Sequence, residues 1–375
     1  MIKKFLQKIF KIVSYGIFFK IYGKIEESVK SVNHDKIKVI DVDIEKNLDY
    51  KVYKILDGRL YTDRIHDTAI IINNKIIEEP SFQLRYKHDA NIYNSEIKNN
   101  IVFKKGTPRK LKYVNGSLLS LLTGGAGNDN YWHWLYDVLP RFGLCNKVID
   151  LSKIDYFLLP DLKKKFQNET LDCLNIPKEK RLSSRKHRHL TAKELIVTDH
   201  PVVINRDPSK SIQDIPDWII SWLKKSFINQ RMKDTKKEKK KIYIDRKDTI
   251  ISGIPQRLLI NEEEVKTYLL NNNFISVKLH DIKFIEQVDL FYNAECIVGL
   301  HGAGLGNLTF CQPGTKVIEL KGFHSGPVIE NLAKKNDLNY NSIISKEIQI
   351  DKFDYKNQMG SIKIPINNLS EILKT

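Results

Sequence analysis

The stretch Glu286–Leu320, EQVDLFYNAECIVGLHGAGLGNLTFCQPGTKVIEL, restricts the fold more than any other part of the chain. Just ahead of and within it, Phe284, Val288 and Phe291 recur at helical spacing, which predicts an amphipathic helix over Ile282–Asn293. Cys296-Ile297-Val298 is a short apolar run of buried-strand type. The chain then breaks into His301-Gly302-Ala303-Gly304-Leu305-Gly306-Asn307, with glycine at alternate positions. Asn307 or Thr309 could cap a short helix, Pro313-Gly314 turns it, and Lys316–Leu320 is a second buried strand. Strand, glycine loop, short helix and strand make a βαβ unit. In such a unit the loop leaving the carboxyl end of the strand faces the ligand crevice. Glycine lets the backbone approach phosphate oxygens closely, and a helix start aims unpaired N–H groups at them.

The loop does not follow the dinucleotide pattern. GxGxxG beginning at Gly302 needs glycine at 307, where asparagine stands, and no Walker lysine follows. A glycine turn with a purely structural role is the plain alternative. Glu319 lies near the end of the next strand, where Rossmann-type units place the carboxylate that holds ribose hydroxyls. Loop and carboxylate together favour a nucleotide; the plain alternative for Glu319 is a surface carboxylate at a strand end.

The 375 residues suffice for two domains, and 41% hydrophobic with 29% charged content is globular. The net charge of +17 is unevenly spread. Residues 1–30 hold seven lysines against Glu26 and Glu27, and residues 231–241 hold Arg231 and six lysines against Asp234 and Glu238, so each segment carries +5. The remainder is mildly basic, which fits an anionic membrane surface and an anionic small ligand better than a duplex-binding face. Cys145, Cys173, Cys296 and Cys311 include no CxxC and no metal spacing, as expected of a reducing, cytoplasmic compartment.

Residues 1–30 read as a basic amphipathic segment that lies on anionic lipid, with Lys4, Lys8 and Lys11 on one side and Phe5, Ile9, Ile12 and Val13 on another. An ordinary helix packed on the domain is the alternative. No apolar run is long enough to span a bilayer. An N-terminal domain follows over 31–230. Its entry is β-rich, with runs at Ile37–Val42, Lys51–Leu56, Ala69–Ile72 and Ile101–Phe103 and turns at Asp57-Gly58 and Asn73-Asn74.

Chemistry begins at Leu118–Phe142. After the Gly124–Gly127 turn, Asn128 or Asn130 could cap a helix through Asn130-Tyr131-Trp132-His133-Trp134-Leu135-Tyr136-Asp137, with Arg141 behind Pro140. His133 and Asp137 are four apart and share a face, which suits general-base work or simply closes a helical turn. Trp132 and Trp134 form a sugar-stacking wall or belong to the core, the commoner outcome. Strands at Asp155–Leu159 and Glu194–Val197 and a helix at Pro216–Ile228 continue an α/β pattern. The charged run 231–241 reads as a linker, 242–345 as a nucleotide-binding domain, and 346–375 as a tail that ends in a short helix, Leu369–Lys374. Arg246 follows the strand Ile242–Asp245, and Arg257 precedes a capped helix start at Asn261. Two arginines in the domain of the glycine loop can clamp a diphosphate in forked geometry.

Gly-Gly…Asn-Tyr-Trp-His-Trp-Leu-Tyr-Asp…Leu-Pro-Arg (124–141), Tyr-Ile-Asp-Arg (243–246), Arg257 and Gly-Leu-His-Gly-Ala-Gly-Leu-Gly-Asn…Val-Ile-Glu (299–319) together resemble glycosyltransferase family 61, whose bacterial members include capsular-polysaccharide enzymes. The likeness covers roughly residues 110 to 325 and rests on the order and spacing of the set. It implies an α/β, GT-B-like chain of two Rossmann-like domains facing across a cleft. It also implies an inverting enzyme without a bound metal or cofactor, moving a sugar from a nucleotide-sugar, with uridine favoured, to a surface-glycan hydroxyl. With the resemblance, donor binding is assigned to Arg246, Arg257, His301, Gly302, Ala303, Gly304, Leu305, Asn307 and Glu319. The acceptor side takes Asn130, Trp132, Trp134 and Arg141, and the base is Asp137 or His133. Expected partners are the donor, a glycan or lipid-linked acceptor, and the inner face of the cytoplasmic membrane.

Two other classes compete. A nucleic-acid-binding protein would interleave aromatic residues with its basic clusters, and 231–241 has none. A non-catalytic, membrane-associated assembly factor would have no need to retain His133, Asp137, Arg246, Arg257 and Glu319.

Overall fold

The alternation of apolar runs and helices builds two sheets, each in its own unit: Met1–Gln167 with Asn175–Ile212, and Asn168–Leu174 with Gln213–Thr375. The computed structural model describes residues 2–374 apart from 64–66, 82–83, 87–91, 95, 123–128, 204–212, 230–236, 247–249, 252–253, 256 and 349–359. The Gly124–Gly127 turn, Asn128 and most of the charged run therefore lie outside the described residues.

In the first unit, strands β1 (Lys112–Ser120), β2 (Tyr156–Leu159), β3 (Arg181–Ser183) and β4 (His189–Thr198) are mutually parallel in the order β3-β2-β1-β4. This is the Rossmann order, with its reversal point between β1 and β4. The other edge of β4 takes antiparallel strands, Arg59–Thr62 along its start and Tyr50–Leu56 along its end. The sheet is therefore mixed, and Rossmann-like only in its parallel half. Asn73 and Asn74 both adopt positive φ, which closes the hairpin between Thr68–Ile72 and Lys75–Ile77 as a two-residue turn. Ile101–Phe103, expected as a strand, is helical over Ile101–Lys105. The Asn100 side chain accepts from the Val102 N–H at 3.2 Å, and a cap of this kind outweighs the β propensity of a three-residue run.

The second unit holds a parallel sheet of β5 (Lys240–Ile244), β6 (Phe274–Val277), β7 (Ala294–Leu300), β8 (Lys316–Gly322) and β9 (Asn339–Ser345), in the order β6-β5-β7-β8-β9. This is the other doubly wound order, and its reversal point lies between β5 and β7. β7 and β8 are buried along nearly their whole length, as strands covered on both faces must be.

Helix α1 (Ile2–Tyr22) belongs to the first unit, while α2 (Asp217–Phe227), which precedes the charged run, belongs to the second. Phe227 meets Phe284 at 4.8 Å and Phe310 at 6.2 Å, edge to face, and this aromatic cluster ties α2 to α3 (Phe284–Tyr292) and to the glycine segment. The C-terminal helix Ile366–Lys374 buries Leu369 in the same unit's core. Asn261 does not cap the helix that follows it. Its amide instead exchanges two hydrogen bonds with the main chain of Ile364, at 2.8 and 3.0 Å, and thereby fastens the tail.

Candidate functional site

Both sheets bring their informative residues to the reversal point. In the first unit, β1 leads towards Asn130, whose side chain accepts from Trp132 N–H at 2.8 Å and starts the helical turn Tyr131–His133. The next turn, Trp134–Val138, widens into a π-helix closed by Leu139 N–H to Trp134 C=O at 3.0 Å. Pro140 has no N–H to return to the residue four back, so a regular α-turn cannot close there. His133 and Asp137 remain on one face, with Nδ1 and Oδ2 2.6 Å apart.

Burial disfavours the charged form of both partners, but each is outweighed by the other. Asp137 is held below the usual carboxylate range, by His133 first and with help from His200 and Arg141. His133 is raised above its usual value by Asp137. At the end of β4, burial pushes Asp199 up to about 6 and His200 down to about 3. Asp199 accepts from the Tyr53 hydroxyl at 2.9 Å and from the Lys51 amide at 2.8 Å. Displaced titrations of this kind gather where chemistry is done. Sequence reasoning missed Asp199 and His200; the signal was Asp-His-Pro directly after a buried strand.

Two residues expected on the acceptor side are corrected. Arg141 is buried, with its guanidinium spent on Asp137 C=O at 3.1 Å and on Thr198 C=O and Oγ1 at 3.1 and 3.2 Å. It ties the helix to the end of β4. Trp134 is wholly buried, with its ring 6.3 Å from Phe166, and has no face for a sugar. Trp132 is half-buried, 4.3 Å from the ring of Tyr136.

In the second unit, Arg246 follows β5 and His301 follows β7, one on each side of the reversal point. Arg246 Nη1 donates to the main-chain oxygen of His301 at 2.6 Å, and Arg257 Nη1 donates to the same oxygen at 2.8 Å. Burial, then the repulsion of Arg246, lowers Arg257 to about 10. Arg257 also holds a left-handed φ of 54°, a strained choice for a long side chain. Two guanidinium groups brought together in this way favour an anion between or beside them. The approach depends on Gly302, where an added Cβ would lie 2.3 Å from Arg246 Nη1.

The glycine segment starts its helix earlier than expected. A 3₁₀ stretch runs from Ala303 to Phe310 directly after Gly302, and its first closing bond is Leu305 N–H to Gly302 C=O at 3.0 Å. The amides of Ala303 and Gly304 lie ahead of that bond, in the position from which a helix start serves an anion. Leu305 is buried and its amide is used in the turn, which corrects its assignment to the donor. Asn307 is corrected too. It is fully buried, and its side chain donates to Gln287 Oε1 at 2.9 Å, anchoring the loop to α3.

Glu319 is the largest correction. It is completely buried, bonded to His301 Nδ1 and accepting from the Tyr340 hydroxyl at 2.5 Å, with Lys321 Nζ 3.7 Å away. A carboxylate so enclosed cannot hold ribose; it orients His301. Burial, only partly offset by Glu319, lowers His301, so the imidazole is neutral near pH 7 with its proton on Nδ1 and Nε2 left as an acceptor.

Fold and site together define an α/β protein with two arginines converging on a main-chain carbonyl at the reversal point of its parallel sheet and a His–carboxylate pair at that of its mixed sheet. The family description Glycosyltransferase 61 matches residues 131–318, which include His133, Asp137, Arg246, Arg257 and His301. The chain belongs to glycosyltransferase family 61 and is a glycosyltransferase of that family. A search of curated proteins gives no match.

Proposed function

We propose that this glycosyltransferase moves a hexose or pentose from a nucleotide-sugar, a UDP-sugar in the first instance, to a hydroxyl of a capsule or lipopolysaccharide precursor with inversion. The convergence of Arg246 and Arg257 on the His301 carbonyl, beside the amides of Ala303 and Gly304, carries this reading. The GT-B arrangement belongs to the proposal, with the donor on the second unit and the acceptor on the first. In the reaction, His133 or Asp137 takes the proton of the acceptor hydroxyl. The oxygen bonds to the anomeric carbon, and the bond from that carbon to the diphosphate breaks on the opposite face. Arg246 and Arg257 receive the charge of the departing diphosphate, a role that a metal fills in other designs.

Calorimetric titration with nucleoside diphosphates and their sugars, without divalent metal, tests the donor site. Saturable binding of one nucleotide, lost in Arg246→Ala, is the expected result; silence across the panel sinks the reading. For the base, Asp137→Asn should abolish turnover with donor binding retained, and an equal loss of donor affinity would remove it from the acceptor side.

We place the enzyme in the cytoplasm, at the inner face of the membrane. Among the described residues no helix is long and apolar enough to cross a bilayer. Instead, α1 carries lysines and no acidic residue, and it leaves Ile12, Val13, Ile17 and Ile21 more than half exposed. Its last residue, Tyr22, is fixed to the unit by an edge contact with His189 at 4.9 Å and a bond from Leu111 N–H at 2.8 Å. An aliphatic stripe turned outward on a basic helix suits anionic lipid. Co-sedimentation with anionic vesicles should fall in the double variant Ile12→Gln, Ile17→Gln; binding that is equal on uncharged vesicles would refute it.

A further inference from the structure

The most exposed large apolar side chain among the described residues of the second unit is Phe323, at 74%. A lone exposed aromatic on a surface is ordinary, but the turn beneath this one is built. Phe323 N–H donates to Ser345 C=O at 3.1 Å, and Ser325 N–H donates to Gly322 C=O at 3.0 Å. Glu347 accepts from His324 N–H at 2.8 Å and lies 3.1 Å from its Nδ1. That carboxylate occupies the space where a side chain at 322 would stand, since a Cβ on Gly322 would be 2.3 Å from Oε1. The imidazole of His324 in turn meets the Phe323 ring edge to face, with centroids 5.4 Å apart. The main chain of the turn is thus fastened, and the exposed Phe323 ring rests edge to face against the anchored His324 imidazole.

The place is set by register. Leu320 pairs with Leu300, and His301 N–H donates to Leu320 C=O at 2.8 Å, so His301 stands beside Lys321. Phe323 is two residues further out, about 7 Å along the strand direction. It therefore lies at the carboxyl end of β8, past the point where the two arginines and the glycine amides meet. In a nucleoside diphosphate the ribose separates base from phosphate, and an offset of this kind is what that ligand requires. Aromatic rings bind bases through their faces with little regard to sequence.

We propose that Phe323 is the stacking platform for the base of the donor nucleotide, held in position by His324, Glu347 and Gly322. This deepens the donor-site reading of the second unit and rests on it.

The test titrates the full chain with UDP, GDP, CDP and ADP, and with inorganic pyrophosphate, in wild type, Phe323→Ala and Phe323→Tyr. In Phe323→Ala the tightest-binding nucleotide should weaken by roughly five- to a hundred-and-fiftyfold, with pyrophosphate unchanged. Phe323→Tyr should bind as the wild type does. The ring is solvent-exposed, so its truncation leaves the thermal midpoint in place, and that midpoint is measured alongside. Nucleotide affinity that survives Phe323→Ala, or an equal loss for nucleotide and pyrophosphate, overturns the platform alone. A wild-type chain that binds neither probe overturns the donor site and the platform with it.

Discussion

Replacing Gly302 with alanine tests the proposed diphosphate site through a single methyl group. The new Cβ would stand 2.3 Å from Arg246 Nη1, 2.9 Å from Cζ and 3.3 Å from Nη2, whereas ordinary contact begins near 3.4 Å. The guanidinium must therefore retreat by about 1 Å, which takes the 2.6 Å bond to the His301 carbonyl out of range. Gly302 also holds φ 159° with ψ −179°, a conformation that residues with a side chain rarely adopt, so alanine adds backbone strain of its own. The displaced arginine can swing towards solvent, but the backbone strain should lower folding stability by about 1–3 kcal/mol, which a urea midpoint measured alongside separates from the loss of binding. What is lost is one charge-assisted hydrogen bond to a bound diphosphate, about 1.5–3 kcal/mol, or roughly ten- to a hundred-and-fiftyfold in Kd. Calorimetry of Gly302→Ala, Arg246→Ala and the double variant with the tightest nucleoside diphosphate measures it. The double variant should be no weaker than Arg246→Ala, because both changes remove the same contact. Unaltered affinity in Gly302→Ala, or losses that add in the double variant, would refute the reasoning.

Asp137→Asn should lower the His133 titration below its ordinary 6.5, because burial remains while the carboxylate that raised it has gone; an unshifted imidazole signal by NMR would contradict the pairing. The pair also predicts a window of stability. Asp137, held low, stabilises above the ordinary carboxylate range and loses this as pH falls through its folded value. His133, held high, stabilises below 6.5 and loses this as pH rises through its folded value. Urea midpoints should therefore decline on both sides of that window, and less so on the alkaline side in Asp137→Asn. Glu319→Gln, which weakens the bonds from Tyr340 and His301 inside the second core, should cost about 2–3 kcal/mol in urea unfolding. An unchanged midpoint would show that the network contributes nothing.

Much of the second unit was legible in the chain itself. Cys296-Ile297-Val298 and Lys316–Leu320 are apolar enough to be strands only if buried on both faces, and the glycines between them mark the break, although Gly304 and Gly306 sit in a 3₁₀ helix that begins sooner than the pattern suggests. His133 and Asp137 were legible because helical spacing alone places residues four apart together, and even the widened turn at Pro140 keeps them so. Local rules also failed in particular places. Ile101–Phe103 has the composition of a strand, yet Asn100 caps it into a helix. Asn261 has the form of a helix cap, yet Ile364, about a hundred residues away in the chain, takes its amide.

The sequence by itself determined the periods: which segments are helix, which strands are buried, and which loops leave their carboxyl ends. These follow from contacts within a few residues. Only the tertiary structure decided what each polar group faces. Glu319 looks like a ribose ligand until Tyr340 and His301 close around it, and Arg141 looks available until Thr198 takes its guanidinium. Asp199, His200 and Tyr340 join their sites from segments distant in the chain. The direction of a buried side chain and the partner that satisfies it depend on sheet order and register, which no local pattern encodes.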